Sequence, residues 1–104
     1  MVDAVAMSQP VFDEILDVLN RPRLKRFLDP DLCLDVLDHL RSGTAWFDCA
    51  EQVTDCRDPA DNKYLELALA SHAGVIVSSD RDLLALHPWR GREILSPGDY
   101  LGRR

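Results

Sequence analysis

Apolar positions recur along this chain in two rhythms, one helical and one extended. Val11, Ile15, Val18 and Leu19 stand at i, i+4, i+7 and i+8 after Ser8, a spacing that predicts an amphipathic helix capped by Ser8 and tolerant of Pro10 in its first turn. That helix should stop near Asn20, because Arg21 precedes Pro22 and is disfavoured in helical backbone. A short second helix is predicted around Leu24, Phe27 and Leu28, and a third from Asp29-Pro30, with Cys33, Val36, Leu37 and Leu40 as its apolar stripe and Gly43 as its end. Asp58-Pro59 repeats the cap-then-proline signal ahead of a fourth helix, whose apolar side is Leu65, Ala68, Leu69 and His72.

Between the helices lie extended runs. Val2 to Met7 and Ala45 to Ala50 predict strands, the second weakened by Asp48, and Val75-Ile76-Val77 is a β-branched run of the kind covered on both faces in a parallel sheet. Arg81 to Leu86 predicts a short helix, Pro88 to Gly91 a loop, Arg92 to Leu95 a last strand, and Ser96-Pro97 the cap of a terminal turn. Strands alternating with helices imply an α/β fold with right-handed crossovers and a parallel sheet.

Composition narrows the class. At 104 residues, 46% hydrophobic and 29% charged, the chain is read as a single domain, 1–104, large enough for a core. Three cysteines, Cys33, Cys49 and Cys56, without a CxxC pair argue for buried free thiols in a reducing, cytoplasmic setting rather than a disulfide framework or a thiolate zinc site. No apolar run reaches the roughly 18 residues of a membrane span, and no signal peptide is read at the start. The net charge of −6 disfavours non-specific nucleic-acid binding. Arg21, Arg23, Lys25 and Arg26, and later Arg90, Arg92, Arg103 and Arg104, nevertheless form basic stretches that either grip a backbone or are solvated surface.

Three acids are the candidate chemistry: Asp61, on the core side of the fourth helix, and Asp80 and Asp82, where the Val75–Val77 strand runs out. A desolvated carboxylate costs several kcal/mol without a cation or donors, and ligands of parallel sheets gather beyond the carboxyl ends of strands. Each acid also has a local explanation: Asp58 with Asp61 as helix caps, Asp80 as an N-cap, Asp82 as a first-turn acid. Alternation is read as placing Asp61, on the helix before the strand, at the edge opposite Asp80. Glu14, on the flank of the first helix stripe, is a further candidate beside outward-facing Asp13 and Asp17. His39, His72 and His87 lack metal-ligand spacing, His72 reading as a packed residue at a helix end. No GxGxxG, P-loop or GxSxG sequence occurs.

The run from Asp58-Pro59-Ala60-Asp61-Asn62-Lys63 through Leu65 to Ala68, then Val75-Ile76-Val77-Ser78-Ser79-Asp80-Arg81-Asp82-Leu83-Leu84, then Ile94-Leu95-Ser96-Pro97, resembles the C-terminal half of PIN-domain proteins of the toxin class in toxin-antitoxin systems. Ser8 through Arg23, with Glu14, is similar to an earlier segment of the same group. The resemblance implies a three-layer α/β/α fold and a ribonuclease site of clustered acids holding Mg²⁺ or Mn²⁺. It assigns catalytic roles to Glu14, Asp61 and Asp80, metal ligation to these and Asp82, and support to Ser78 and Asn62. It also brings Asp61 to the site, and it implies RNA as substrate and a cognate antitoxin as partner. Family members open with a strand ending in Asp, a small hydroxyl residue and Asn, and nothing before Ser8 matches it. The chain is therefore expected to be a shortened member lacking that strand, with its activity in question. The alternative from a different class is a non-catalytic interaction domain that binds an antitoxin or forms homo-oligomers.

Overall fold

The computed structural model describes residues 4–102. Val2 and Asp3 of the predicted first strand, and Arg103 and Arg104 of the second basic stretch, lie outside them. The chain forms two compact units, one up to Asp48 and one from Cys49.

In the first unit, β1 (Ala6–Met7) leads through Ser8 into α1 (Gln9–Leu19). The Ser8 hydroxyl accepts from the Val11 amide at 3.4 Å, and Pro10 occupies the first turn, where its missing N–H has no intrahelical partner to lose. Arg21 is extended, as a residue before proline should be, which separates α1 from α2 (Pro22–Lys25). Asp29 caps α3 (Pro30–Ser42) by accepting from the Asp31 amide at 2.9 Å. β2 (Ala45–Trp46) then pairs in parallel with β1, Ala6 beside Ala45 and Met7 beside Trp46. It ends well before the expected Ala50. Met7, Val11 and Phe12 are buried in this unit, with the Trp46 ring tilted 5.4 Å from Phe12 and the Arg41 guanidinium over the Phe12 face.

The stripe on α3 is shallower than its periodicity suggests. Cys33, Leu37 and Leu40 are half-buried and Val36 is exposed, so no residue of this helix is fully buried.

The second unit holds the larger core. A 3₁₀ turn (Pro59–Asp61) precedes α4 (Asn62–Ser71), followed by β3 (Val75–Val77), α5 (Arg81–Leu84), β4 (Glu93–Leu95) and α6 (Pro97–Gly102). β3 and β4 pair in parallel, Ile76 beside Ile94. Val53, Cys56, Leu65, Ala68, Ile76, Leu83, Trp89 and Ile94 form one buried cluster. The expectation that β3 is covered on both faces is corrected: Ile76 is buried, whereas Val77 is 44% exposed, the alternation of a strand with one face on a core. No helix of the described residues is long and apolar enough to cross a membrane.

His72 is also corrected. It is exposed, not packed, because it terminates α4 in the left-handed conformation, φ 57° and ψ 31°, which turns the chain out of the helix. An L residue pays about 1–2 kcal/mol for that backbone, and glycine avoids the clash at some entropic cost. His72→Gly is therefore expected to raise stability by about 0.5–1 kcal/mol in urea denaturation.

Candidate metal centre

The local chain around Asp58 explains how two acids come to face one way. Asp58 caps the 3₁₀ turn, its carboxylate accepting from the Ala60 amide at 3.0 Å, and the Asp61 amide donates to the Asp58 carbonyl at 3.0 Å. Side chains three apart in a 3₁₀ turn eclipse one another, so the Asp-Pro-Ala-Asp sequence stacks its two carboxylates on one side. Capping accounts for Asp58 but not for Asp61, whose side chain makes no cap hydrogen bond to α4 and is only 8% exposed.

A third carboxylate comes from α5. Asp58, Asp61 and Asp82 each present one oxygen, and these oxygens lie within 4.8 Å of one another. Oxygens sharing one Mg²⁺ at about 2.0–2.1 Å are at most about 4.2 Å apart, so small side-chain rotations bring this group to a bound-ion spacing. An all-carboxylate donor set suits hard cations, Mg²⁺, Mn²⁺ or Ca²⁺, over softer ones. Carboxylates this close repel, and a divalent cation, if bound, would offset that repulsion.

The other candidate residues have distinct placements. Asp80 is exposed and caps α5, one oxygen accepting from the Asp82 amide at 2.8 Å and the Leu83 amide at 3.2 Å, and thereby sets the backbone that presents Asp82. The Ser78 hydroxyl accepts from the Asp80 amide at 3.0 Å, fixing the chain as it leaves β3. Asn62 is buried, and its side-chain oxygen accepts from the Cys56 amide at 2.8 Å, which ties the loop before Asp58 to the start of α4. Glu14 is half-buried on α1 in the first unit, with Asp13 and Asp17 exposed beside it.

Sequence reasoning misses Asp58 because its capping role suffices to explain it; the signal is the three-residue spacing to Asp61. The reading that alternation sends Asp61 to the far edge is wrong on physical grounds. α4 packs against β3, and a helix that runs down to a strand that runs back up starts level with the end of that strand. Asp61 and Asp82 therefore meet.

The cluster imposes its field on a thiol. Burial pushes the Cys56 thiol above its ordinary pKa, the Asp61, Asp82 and Asp80 carboxylates add to the shift, and the Asp58 backbone amide opposes it. Cys33 and Cys49 are half-buried, whereas Cys56 is buried. Since the thiolate is the nucleophile, iodoacetamide at pH 8 should modify Cys33 and Cys49 well before Cys56, as peptide mapping would show.

Parallel strands and helices, with three carboxylates clustered where β3 runs out into α5, define an α/β protein with an acidic centre whose donors could hold a metal ion. The chain belongs to the PIN domain family, whose model matches residues 3–82. That match takes in Glu14 and every acid of the centre. Comparison with curated proteins and with solved structures returned no match.

Proposed function

We propose that the protein is a metal-dependent endoribonuclease of the PIN toxin type, with Asp58, Asp61 and Asp82 as the seat of a Mg²⁺ or Mn²⁺ ion. The convergence of three carboxylate oxygens within 4.8 Å carries this reading. A divalent ion bound there supplies a water of lowered pKa and neutralises charge on a phosphodiester. Asp61, buried, gives the ligand with the least freedom to move; Asp58, exposed, gives the one nearest solvent and substrate. Ser78 acts as a positioning residue, ordering the turn that leads to Asp80 and on into α5, where Asp82 stands. Glu14 and Asp80 keep the catalytic and metal-ligating roles that the family resemblance gives them, together with the three-layer arrangement. The test is cleavage of labelled single-stranded RNA with Mn²⁺ and with EDTA. Cleavage that needs Mn²⁺ and weakens in Glu14→Gln and Asp82→Asn supports the reading, and an inert protein that also fails to bind Mn²⁺ by calorimetry would falsify it.

A second reading, a domain that binds an antitoxin or a further copy of itself, is favoured by one observation. In the first unit three large apolar side chains, Phe27 at 81%, Leu32 at 59% and Leu34 at 64%, are exposed, apolar area that a protein partner would cover. Light scattering after size exclusion distinguishes a self-associating chain from a monomer awaiting a partner.

A further inference from the structure

We infer that the turn from Trp89 to Arg92 is a phosphate grip that holds the RNA backbone beside the acidic centre. The inference rests on the ribonuclease reading and adds residues that lie beyond the segment matched by the family model, 3–82.

The turn is built for rigidity. The Trp89 and Arg92 amides and carbonyls bond reciprocally at 2.9 and 2.8 Å, and Arg90 and Gly91 take positive φ of 47° and 80°, the pattern of a tight hairpin turn. Both guanidinium groups lie over the Trp89 ring, Arg90 at 4.7 Å and Arg92 at 5.9 Å from its centre. Trp89 itself is 5% exposed, so it serves as the bed for the arginines and not as a stacking platform for bases. Arg92 Nη1 donates to the Arg90 carbonyl at 3.2 Å, which fixes its direction.

Asp55 anchors the turn. Its carboxylate accepts from the Trp89 indole at 2.8 Å and from Arg90 Nη2 at 3.1 Å. The indole hydrogen bond first, and then Arg90, hold its carboxyl below the usual range and keep it charged. A guanidinium has five donors, and Arg90 remains 46% exposed with one of them spent on Asp55. Two guanidinium groups stand against the Asp55 carboxylate, a preorganised fork suited to phosphate.

One loop joins this grip to the metal centre. Asp55 stands three residues before Asp58, at most about 11 Å along the chain, and the Cys56 amide between them donates to the Asn62 side-chain oxygen at 2.8 Å, tying this loop to the start of α4 beside Asp61. A strand rising about 3.4 Å per stacked nucleotide spans that separation in two or three nucleotides. A negatively charged centre repels RNA unless something nearby attracts it, and the Arg90–Arg92 turn supplies that attraction.

The test is fluorescence anisotropy of a labelled single-stranded RNA of about 12 nucleotides, with Ca²⁺ in place of Mn²⁺ so that binding is read apart from cleavage. Arg90→Gln and Arg92→Gln should each weaken binding about five- to tenfold at low salt and flatten the salt dependence by about 0.7 in log–log slope per lost phosphate. Arg90→Lys should restore part of it, and Mn²⁺ affinity by calorimetry should be unchanged in all three. If the parent protein binds Mn²⁺ and RNA but the glutamine variants bind RNA as well as it does, the grip is overturned and the nuclease reading stands. Loss of affinity for poly-glutamate instead of RNA would make the turn a protein-docking surface and likewise overturn it. A parent protein that binds neither ion nor RNA takes both inferences down.

Discussion

Asp61→Asn should remove the stabilisation that Mn²⁺ confers. For the parent protein, a cation at 100 times its Kd adds about 2.7 kcal/mol to the folded state through mass action alone, readable as a rise in the urea midpoint. Of the three proposed ligands Asp61 is held most firmly: it is 8% exposed and sits between the 3₁₀ turn and α4. Asparagine keeps its shape and one oxygen but loses the charge, and the affinity of hard cations falls steeply as ligand charge is removed. The midpoint of Asp61→Asn should therefore be the same with Mn²⁺ as with EDTA. Asp58→Asn should give a smaller loss, since Asn still caps the turn and its position is solvent-exposed. An undiminished Mn²⁺ shift in Asp61→Asn would remove Asp61 from the metal site.

Much of this architecture is legible in the sequence because local chemistry decides it. Ser8 before α1, Asp29-Pro30 before α3 and Asp58-Pro59 before the 3₁₀ turn each satisfy amides that a helix leaves without partners, and each stands where the capping residues predict. Side-chain depth is less legible. Val36 and Val77 have the right spacing for burial yet are exposed, because periodicity tells which residues share a face and not whether anything covers it. His72 fails for a different reason: left-handed backbone at a non-glycine position is set by the chain reversal into β3, which propensity does not report.

The acidic centre is half legible. Asp61 and Asp82 stand out as acids at element ends, and their meeting follows from the run of α4 down and β3 back. Asp58 does not, because a residue with a sufficient local role gives no sequence sign of a second one. Its carboxylate does both, accepting from the Ala60 amide while lying within reach of Asp61 and Asp82. Asp80 likewise has a local role, one of its oxygens capping α5.

The anchor for Asp61 is one turn further along α4. Leu65 is four residues on, hence on the same helix face, and is wholly buried, at 0% exposure, in the cluster with Ile76, Leu83 and Ile94. Leu65→Ala should cost about 3–5 kcal/mol, from lost transfer energy and the cavity left behind, a large part of the roughly 5–15 kcal/mol typical of a folded domain. Leu101→Ala, at 66% exposure, should stay within about 0.5 kcal/mol. Because the first turn of α4 is held down through Leu65, Leu65→Ala should also weaken Mn²⁺ binding without touching a ligand. Leu65→Met, which conserves volume and costs less than about 1.5 kcal/mol, should retain it. If calorimetry finds Mn²⁺ affinity unaltered in a folded Leu65→Ala protein, the carboxylates are positioned by the 55–62 loop alone and the core beneath them contributes stability only.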